Sequence, residues 1–363
     1  MAAIRIAIDA MGGDFAPAHP VAGAIQALEA CSPGQVELVL VGDQSLLEVE
    51  LQKQEFDRSR LQVVHAQEKV EFAESATQAI KDHPNSSISL ALDLHLRQEV
   101  HGVVSAGHTG VQVALSLLKL GRIEGVRRPT IGAMFPGDNG GSFLLDVGAN
   151  TDCKPYHLVQ FAAMGSIFVS RLKNIEHPRI GLLSIGEEKT KGNTLTKQTH
   201  ELLSACPFNF IGNVEGRDIV RGKADVIVCD GYVGNILLKF AETIFYVINQ
   251  RMGDAIGSMS SPKKSLSLSA IRKDFDYQER GGVPLLGING VSVICHGTSS
   301  PKAICNAILV AKDMVQDQIV QRIKEAIETY HVGIFTRGMV RLKDWPSFQE
   351  WRDKMELRDL ERK

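Results

Sequence analysis

Short aliphatic and β-branched runs alternate with segments of helical period along most of the chain, and this alternation limits the folds open to it more than any other feature. The runs Ile4 to Ile8, Val36 to Val41, Gly102 to Ser105, Ile180 to Ser184, Ala224 to Cys229 and Val291 to Cys295 each adjoin amphipathic stretches. Strands that alternate with helices imply βαβ units, hence an α/β domain with a mostly parallel sheet. Between the runs Arg127 to Phe135 and Ser142 to Val147 lies PGDNGG, whose glycines, Asp138 and Asn139 suit a tight reversal. One antiparallel hairpin is therefore expected, and the sheet should be mixed.

Several strands end in polar, glycine-rich loops: DAMGGD, SAGHTG, DVGAN, SIGEEKTKGN, CDGYVGN and CHGTSS. In open α/β sheets such loops line the crevice at the carboxyl ends of the strands, where ligands bind, so a common rim is expected. Backbone amides that converge at a helix N-terminus favour an anion, and SAGHTG and GYVGN have the form for it. The alternative is that these glycines only make tight strand-to-helix turns. Neither GxGxxG after the first strand nor GxxxxGK[ST] occurs, which argues against the usual NAD and ATP pockets.

Candidate side chains follow from the loops. Lys191, before a helical segment starting near Asn193, is placed to neutralise phosphate or polarise a carbonyl; the plainer reading is a solvated lysine. Asn235 is a neutral donor at a loop-to-helix turn, or else a helix cap. His108 and His296 are candidate proton carriers or phosphate donors, although loop histidines are more often simply hydrogen-bonded. Asp9 and Asp14 would repel an anion unless paired, so a structural role competes with a binding one. Cys229 and Cys295 at strand ends read better as packing than as nucleophiles. No HExxH or Cys/His cluster points to a metal.

Composition narrows the class. Of 363 residues, 44% are hydrophobic and 23% charged, as in an ordinary globular protein. Forty basic against forty-two acidic residues give a net charge of -2, which argues against a nucleic-acid footprint. The six cysteines are scattered with no CxxC pair, which fits a cytoplasmic location. Asp9 interrupts the N-terminus too early for a signal peptide, and no stretch of about 18 apolar residues is present. The region Ser258 to Arg280 mixes Lys263, Lys264, Arg272 and Lys273 with apolar residues and reads as a projecting excursion.

Taken in order, the loops resemble the phosphate acyltransferases of bacterial phospholipid synthesis, often called the PlsX family. The matching segments are DAMGGD (Asp9 to Asp14), SAGHTG (Ser105 to Gly110), DVGAN (Asp146 to Asn150), SIGEEKTKGN (Ser184 to Asn193), CDGYVGN (Cys229 to Asn235) and PLLGINGVSVICHG (Pro284 to Gly297). The family usually reads SAGNTGA and DGFTGN, so His108, Val111, Tyr232 and Val233 depart from it.

The resemblance implies a Rossmann-like three-layer sandwich, similar to the isocitrate and isopropylmalate dehydrogenases and the phosphotransacetylases. It implies one domain over residues 1–330, two lobes around a cleft with an excursion at about 258–280, and a charged extension over 331–363. The implied reaction moves a fatty acyl group from acyl carrier protein to inorganic phosphate, without cofactor, to supply an acyl-phosphate-using glycerol-3-phosphate acyltransferase. A coenzyme A-dependent phosphate acyltransferase and a non-enzymatic membrane scaffold remain alternatives.

On this reading Lys191 and Asn235 are catalytic. Phosphate is met by Asp9, Gly12, Gly13 and Asp14 of the first loop, and by Ser105, Gly107, His108, Thr109 and Gly110 of the second. Asp146, Asn150, Asp230, Gly231, Gly234 and His296 complete the set. The resemblance also implies a homodimer held peripherally at the inner face of the cell membrane. Leu266, Leu268, Ile271 and Phe275 would then insert while the nearby cations meet anionic lipid.

Overall fold

The computed structural model describes residues 3–70, 74–257 and 281–336. The chain first builds β1 (Ile4–Asp9), α1 (Ala18–Ala30), β2 (Val36–Gly42), α2 (Gln44–Leu51), β3 (Leu61–His65), α3 (Ala76–Asp82), α4 (Ser87–Leu96), β4 (Gly102–Ser105) and α5 (Thr109–Lys119). It continues through β5 (Thr130–Phe135), β6 (Ser142–Leu145), α6 (Pro155–Leu172), β7 (Ile180–Leu183), α7 (Thr194–Ala205), β8 (Phe210–Val214), α8 (Gly216–Val220), β9 (Val226–Val228) and α9 (Gly231–Gly257). It then returns with β10 (Val283–Leu286), β11 (Ser292–Ile294), α10 (Pro301–Gln316) and α11 (Ile319–Thr336).

Among the described residues the strands form one eleven-stranded sheet in the order β3-β2-β1-β4-β11-β10-β5-β6-β9-β7-β8. β1 reads IRIAID because it is buried on both faces: Ile6, Ala7 and Ile8 are at most 1% exposed. Apolar clusters on the two faces complete three layers. One cluster joins α1, α6, α10 and α11 to the sheet. The other joins α4, α5 and the start of α9 to the opposite face.

One hairpin was expected at PGDNGG, and β5 and β6 do pair antiparallel there. The centre of the sheet holds two further antiparallel pairings, β10 with β11 and β10 with β5. Because β11 is parallel to β4, and β6 is parallel to β9, these reversals make the two parallel halves of the sheet run in opposite directions. The carboxyl ends of β1, β4 and β11 therefore point one way, and those of β6, β9 and β7 the other. A single rim for all six loops does not form; the antiparallel centre divides them into groups.

Helix α11 runs past residue 330, where the charged extension was expected to begin. Residues 258–280, with the expected lipid contacts Leu266, Leu268, Ile271 and Phe275, and residues 337–363 lie outside the described residues. Among the described residues no helix is long and apolar enough to cross a membrane.

In the first turn of α6, the Lys154 amide donates to His157 Nδ1 at 3.1 Å, so the imidazole must hold a free lone pair there. Burial pushes the His157 pKa down to about 4, and the cations Arg128, Lys154 and Arg127 act in the same direction. The unfolded chain takes up this proton near pH 6.5 and the folded chain does not, so the contribution is present above about pH 6.5 and is lost as pH falls toward the folded value. Thermal melts should show stability falling between about pH 7 and about pH 4.5. His157→Asn keeps an acceptor for the Lys154 amide without a titrating ring and should flatten that decline; an unchanged slope would rule His157 out as its source.

Candidate active site

The loops after β1, β4 and β11 form the first group. Asp9, 3% exposed, accepts from Ser87 Oγ and Ser105 Oγ, both at 2.6 Å, and from the Met11 amide at 3.3 Å. Burial raises its pKa, opposed by the hydrogen bonds from Ser105 and Ser87. A Cβ on Gly12 would lie 2.5 Å from Asp9 Oδ2 and 2.7 Å from the Gly107 nitrogen, so glycine is required where the first loop presses on the second. The Asp14 amide donates to the Gly297 carbonyl at 2.8 Å, and His19 Nδ1 lies 2.9 Å from the Ser299 carbonyl, which ties the third loop in.

His108 is the N-cap of α5: its Nδ1 accepts from the Val111 amide at 3.3 Å. An asparagine Oδ1 caps a helix in the same way, which accounts for the departure from the family pattern at this position. Thr109 and Gly110 open the helix, where first-turn amides lack intrahelical acceptors. Thr109 is exposed, whereas Ser105 is buried beneath it.

The loops after β6 and β9 form the second group. Asp146, fully buried, accepts five hydrogen bonds. The amides of Ile131 at 3.2 Å, Gly148 at 3.2 Å and Ala149 at 3.1 Å reach Oδ1; the Asn150 amide and side chain, each at 2.7 Å, reach Oδ2. Burial pushes its pKa up against the pull of these donors, Asn150 first among them. Gly231 donates to the Asn150 carbonyl at 2.8 Å, and Asp230 Oδ1 accepts from the Val233 amide at 2.9 Å. A Cβ on Gly234 would lie 1.8 Å from the Asp146 carbonyl oxygen, so α9 begins in backbone contact with the loop after β6. Asn235, exposed on that first turn, stands beside Gly148.

The expectation that Asp9 and Asp146 touch phosphate is revised. Both carboxylates are buried and spend their acceptor capacity on their own chain, so they are positioning residues that shape the loops. Ser105, Gly12, Asn150, Gly231 and Gly234 are also buried in these contacts. Gly13 and Gly107 are half-buried in the loops, and Asp14 is exposed.

The two groups meet at a cavity of about 440 Å³, into which Thr109 and His296 face from the first and Asn235 from the second. His296 Nδ1 lies 2.8 Å from Thr298 Oγ1. Lys239 and Glu242, ion-paired at 2.8 Å, also line it and were not anticipated; only the helical register of α9 turns them inward. Ser87, which braces Asp9 from α4, likewise carried no local signal.

Lys191 belongs to a third group, the loop after β7. Its amide donates to the Glu188 carbonyl at 2.9 Å, and its side chain is exposed and does not line the cavity. Because β7 is hydrogen-bonded to β9, this loop borders CDGYVGN. Cys295 is buried, with its thiol pushed up to about 12 by that burial, and burial raises Cys229 strongly as well. Neither is suited to be a thiolate nucleophile. Among the described residues no group of three His, Cys, Asp or Glu is placed to hold a metal ion.

This three-layer fold is shared by phosphotransacetylases. A phosphotransacetylase from Streptococcus pyogenes superposes with a TM-score of 0.56 at 15% identity, covering 86% of this chain and 94% of that one. One from Staphylococcus aureus gives 0.54 at 18% identity, covering 87% and 94%. A family model described as fatty acid synthesis protein matches residues 4–322. A phosphate acyltransferase of Heliobacterium modesticaldum is 46% identical over 330 residues, 89% of this chain and 98% of the relative. That of Pelotomaculum thermopropionicum is 42% identical over 334 residues, 91% and 96% of the two. The chain belongs to the phosphate acyltransferase family.

Proposed function

We propose that this chain transfers a fatty acyl group from the thioester of acyl carrier protein to inorganic phosphate, giving an acyl phosphate for phospholipid synthesis. The observation that carries this reading is the cavity itself, where a helix N-terminus and Asn235 meet apolar walls, in a chain of this family. Phosphate is already a competent oxygen nucleophile near neutral pH, because its second ionisation lies close to that range. Its oxygen attacks the thioester carbon, the C–S bond breaks, and the thiolate leaves with the electron pair. The protein has to hold the reactants together and stabilise the oxyanion.

On this reading the first-turn amides of α5 and α9, with Thr109 and His296, hold phosphate, and Asn235 donates to phosphate or oxyanion. Lys191, on the neighbouring loop, offsets the developing charge from outside the cavity wall. The test is mass-spectrometric detection of acyl phosphate from purified protein, phosphate and either acyl carrier protein thioester or acyl-coenzyme A. Product from the carrier thioester supports the reading. Product from coenzyme A alone would replace it with a phosphotransacetylase activity, and product from neither would end it.

The same reading includes a homodimer. Ile236, Phe240, Ile244 and Val247 recur at helical spacing on α9 and are 52%, 64%, 39% and 45% exposed, on the side away from Asn235. Phe240→Glu should convert a dimer to a monomer in sedimentation; a wild-type monomer at micromolar concentration would remove the proposal. Peripheral attachment to the inner face of the membrane and hand-over to a glycerol-3-phosphate acyltransferase complete the reading. Cosedimentation with anionic vesicles tests the first of these.

A further inference from the structure

The cavity has an apolar arm under α9. Ile131, Ala133 and Phe135 alternate along β5 and so face one side of the sheet, and Leu238 and Ala241 pack against the same apolar cluster. Asn235, Leu238 and Ala241 follow one another at intervals of three on α9, so they share a helix face. Over that distance, about 9 Å at helical rise, the wall changes from a polar amide to aliphatic carbon. Lys239 and Glu242, paired with each other, line the cavity on the adjoining side of the helix. The cavity of about 440 Å³ has mostly apolar walls, which favour an apolar occupant over water. The geometry therefore calls for an apolar, elongated occupant whose polar end sits at Asn235.

We infer that this arm receives the hydrocarbon tail of the acyl group, and that Ala241, which shares its apolar cluster with Ala133 of β5, sets how long a tail fits. The inference rests on the acyl-transfer reading above. Ala241 is the informative position because it is small, lines the arm and is only half-buried, so a larger side chain there extends into the cavity rather than into a closed core.

The experiment measures acyl phosphate formation by the full chain with butyryl, octanoyl and palmitoyl thioesters of acyl carrier protein, for wild type and Ala241→Phe. Each methylene kept out of an apolar site costs about fourfold in affinity, so the palmitoyl-to-butyryl ratio of kcat/KM should fall by about tenfold or more. An unchanged ratio, or an equal fall for every donor, would overturn the inference and leave acyl transfer itself standing. No product from any donor with the wild type would instead sink the acyl-transfer reading. Should Ala241→Phe fail to fold, Ala241→Leu is read by the same ratio with a smaller expected fall.

Discussion

Asn235→Ala lowers turnover about a hundredfold, the usual loss when one preorganised donor to a developing oxyanion is removed. The side chain sits on the exposed first turn of α9 beside Gly148 and faces the cavity, so its removal opens no core void. The unfolding midpoint should therefore stay close to that of the wild type while kcat falls. A drop in kcat and stability together would make Asn235 a structural residue, and near-normal kcat would take it out of the chemistry. Lys191→Ala is the natural companion. From its separate loop it should lower kcat by charge alone, so Lys191→Arg should restore part of the rate. Failure of that rescue, or no loss in the first place, would leave Lys191 a solvated lysine.

The second large effect is on stability. Asp146→Ala leaves the amides of Ile131, Gly148, Ala149 and Asn150 and the Asn150 side chain without their common acceptor in a buried site. A buried donor left unsatisfied costs about 1–3 kcal/mol, so even with partial rescue by water the loss should reach about 3 kcal/mol or more. Urea unfolding measures it as a lowered midpoint. Activity should fall too, because the same carboxylate braces the loop against which Gly234 and Asn235 are set. A midpoint within error of the wild type would mean that the loop keeps its shape without Asp146.

How far these features were legible depends on how local their causes are. β1, β2 and β4 stand out because strands buried on both faces are unbroken aliphatic runs. β3 was missed because its side chains are only half-buried and LQVVH carries a glutamine and a histidine. β8, FIGNV, hides behind Gly212 and Asn213. β10 carries Pro284, a residue that argues against an inner strand, yet it pairs there antiparallel with β11 and β5. The division of the loops into groups follows from those pairings, which join residues far apart in the chain, so no periodicity foretells it.

The same holds at the site. Glycine-rich turns mark where a chain bends sharply beside a strand, and they were visible at Gly12 and Gly234. Whether a carboxylate in such a turn faces solvent or its own backbone is decided by neighbours such as Ser87, 78 positions from Asp9. That is why a structural role for Asp9 stood only as an alternative, and Asp146 was placed in its loop without being recognised as the loop's internal brace.

The last two strands among the described residues, β10 and β11, lie at the middle of the sheet, between β4 and β5. Until residues 283–294 have emerged from the ribosome, β4 and β5 each present an open edge with no partner of their own, the condition in which nascent chains cross-pair. The two half-sheets are thus joined only after both have been made. A polypeptide that stops short of Val283 holds most of the loops but none of the seam that brings Thr109 and Asn235 to one chamber.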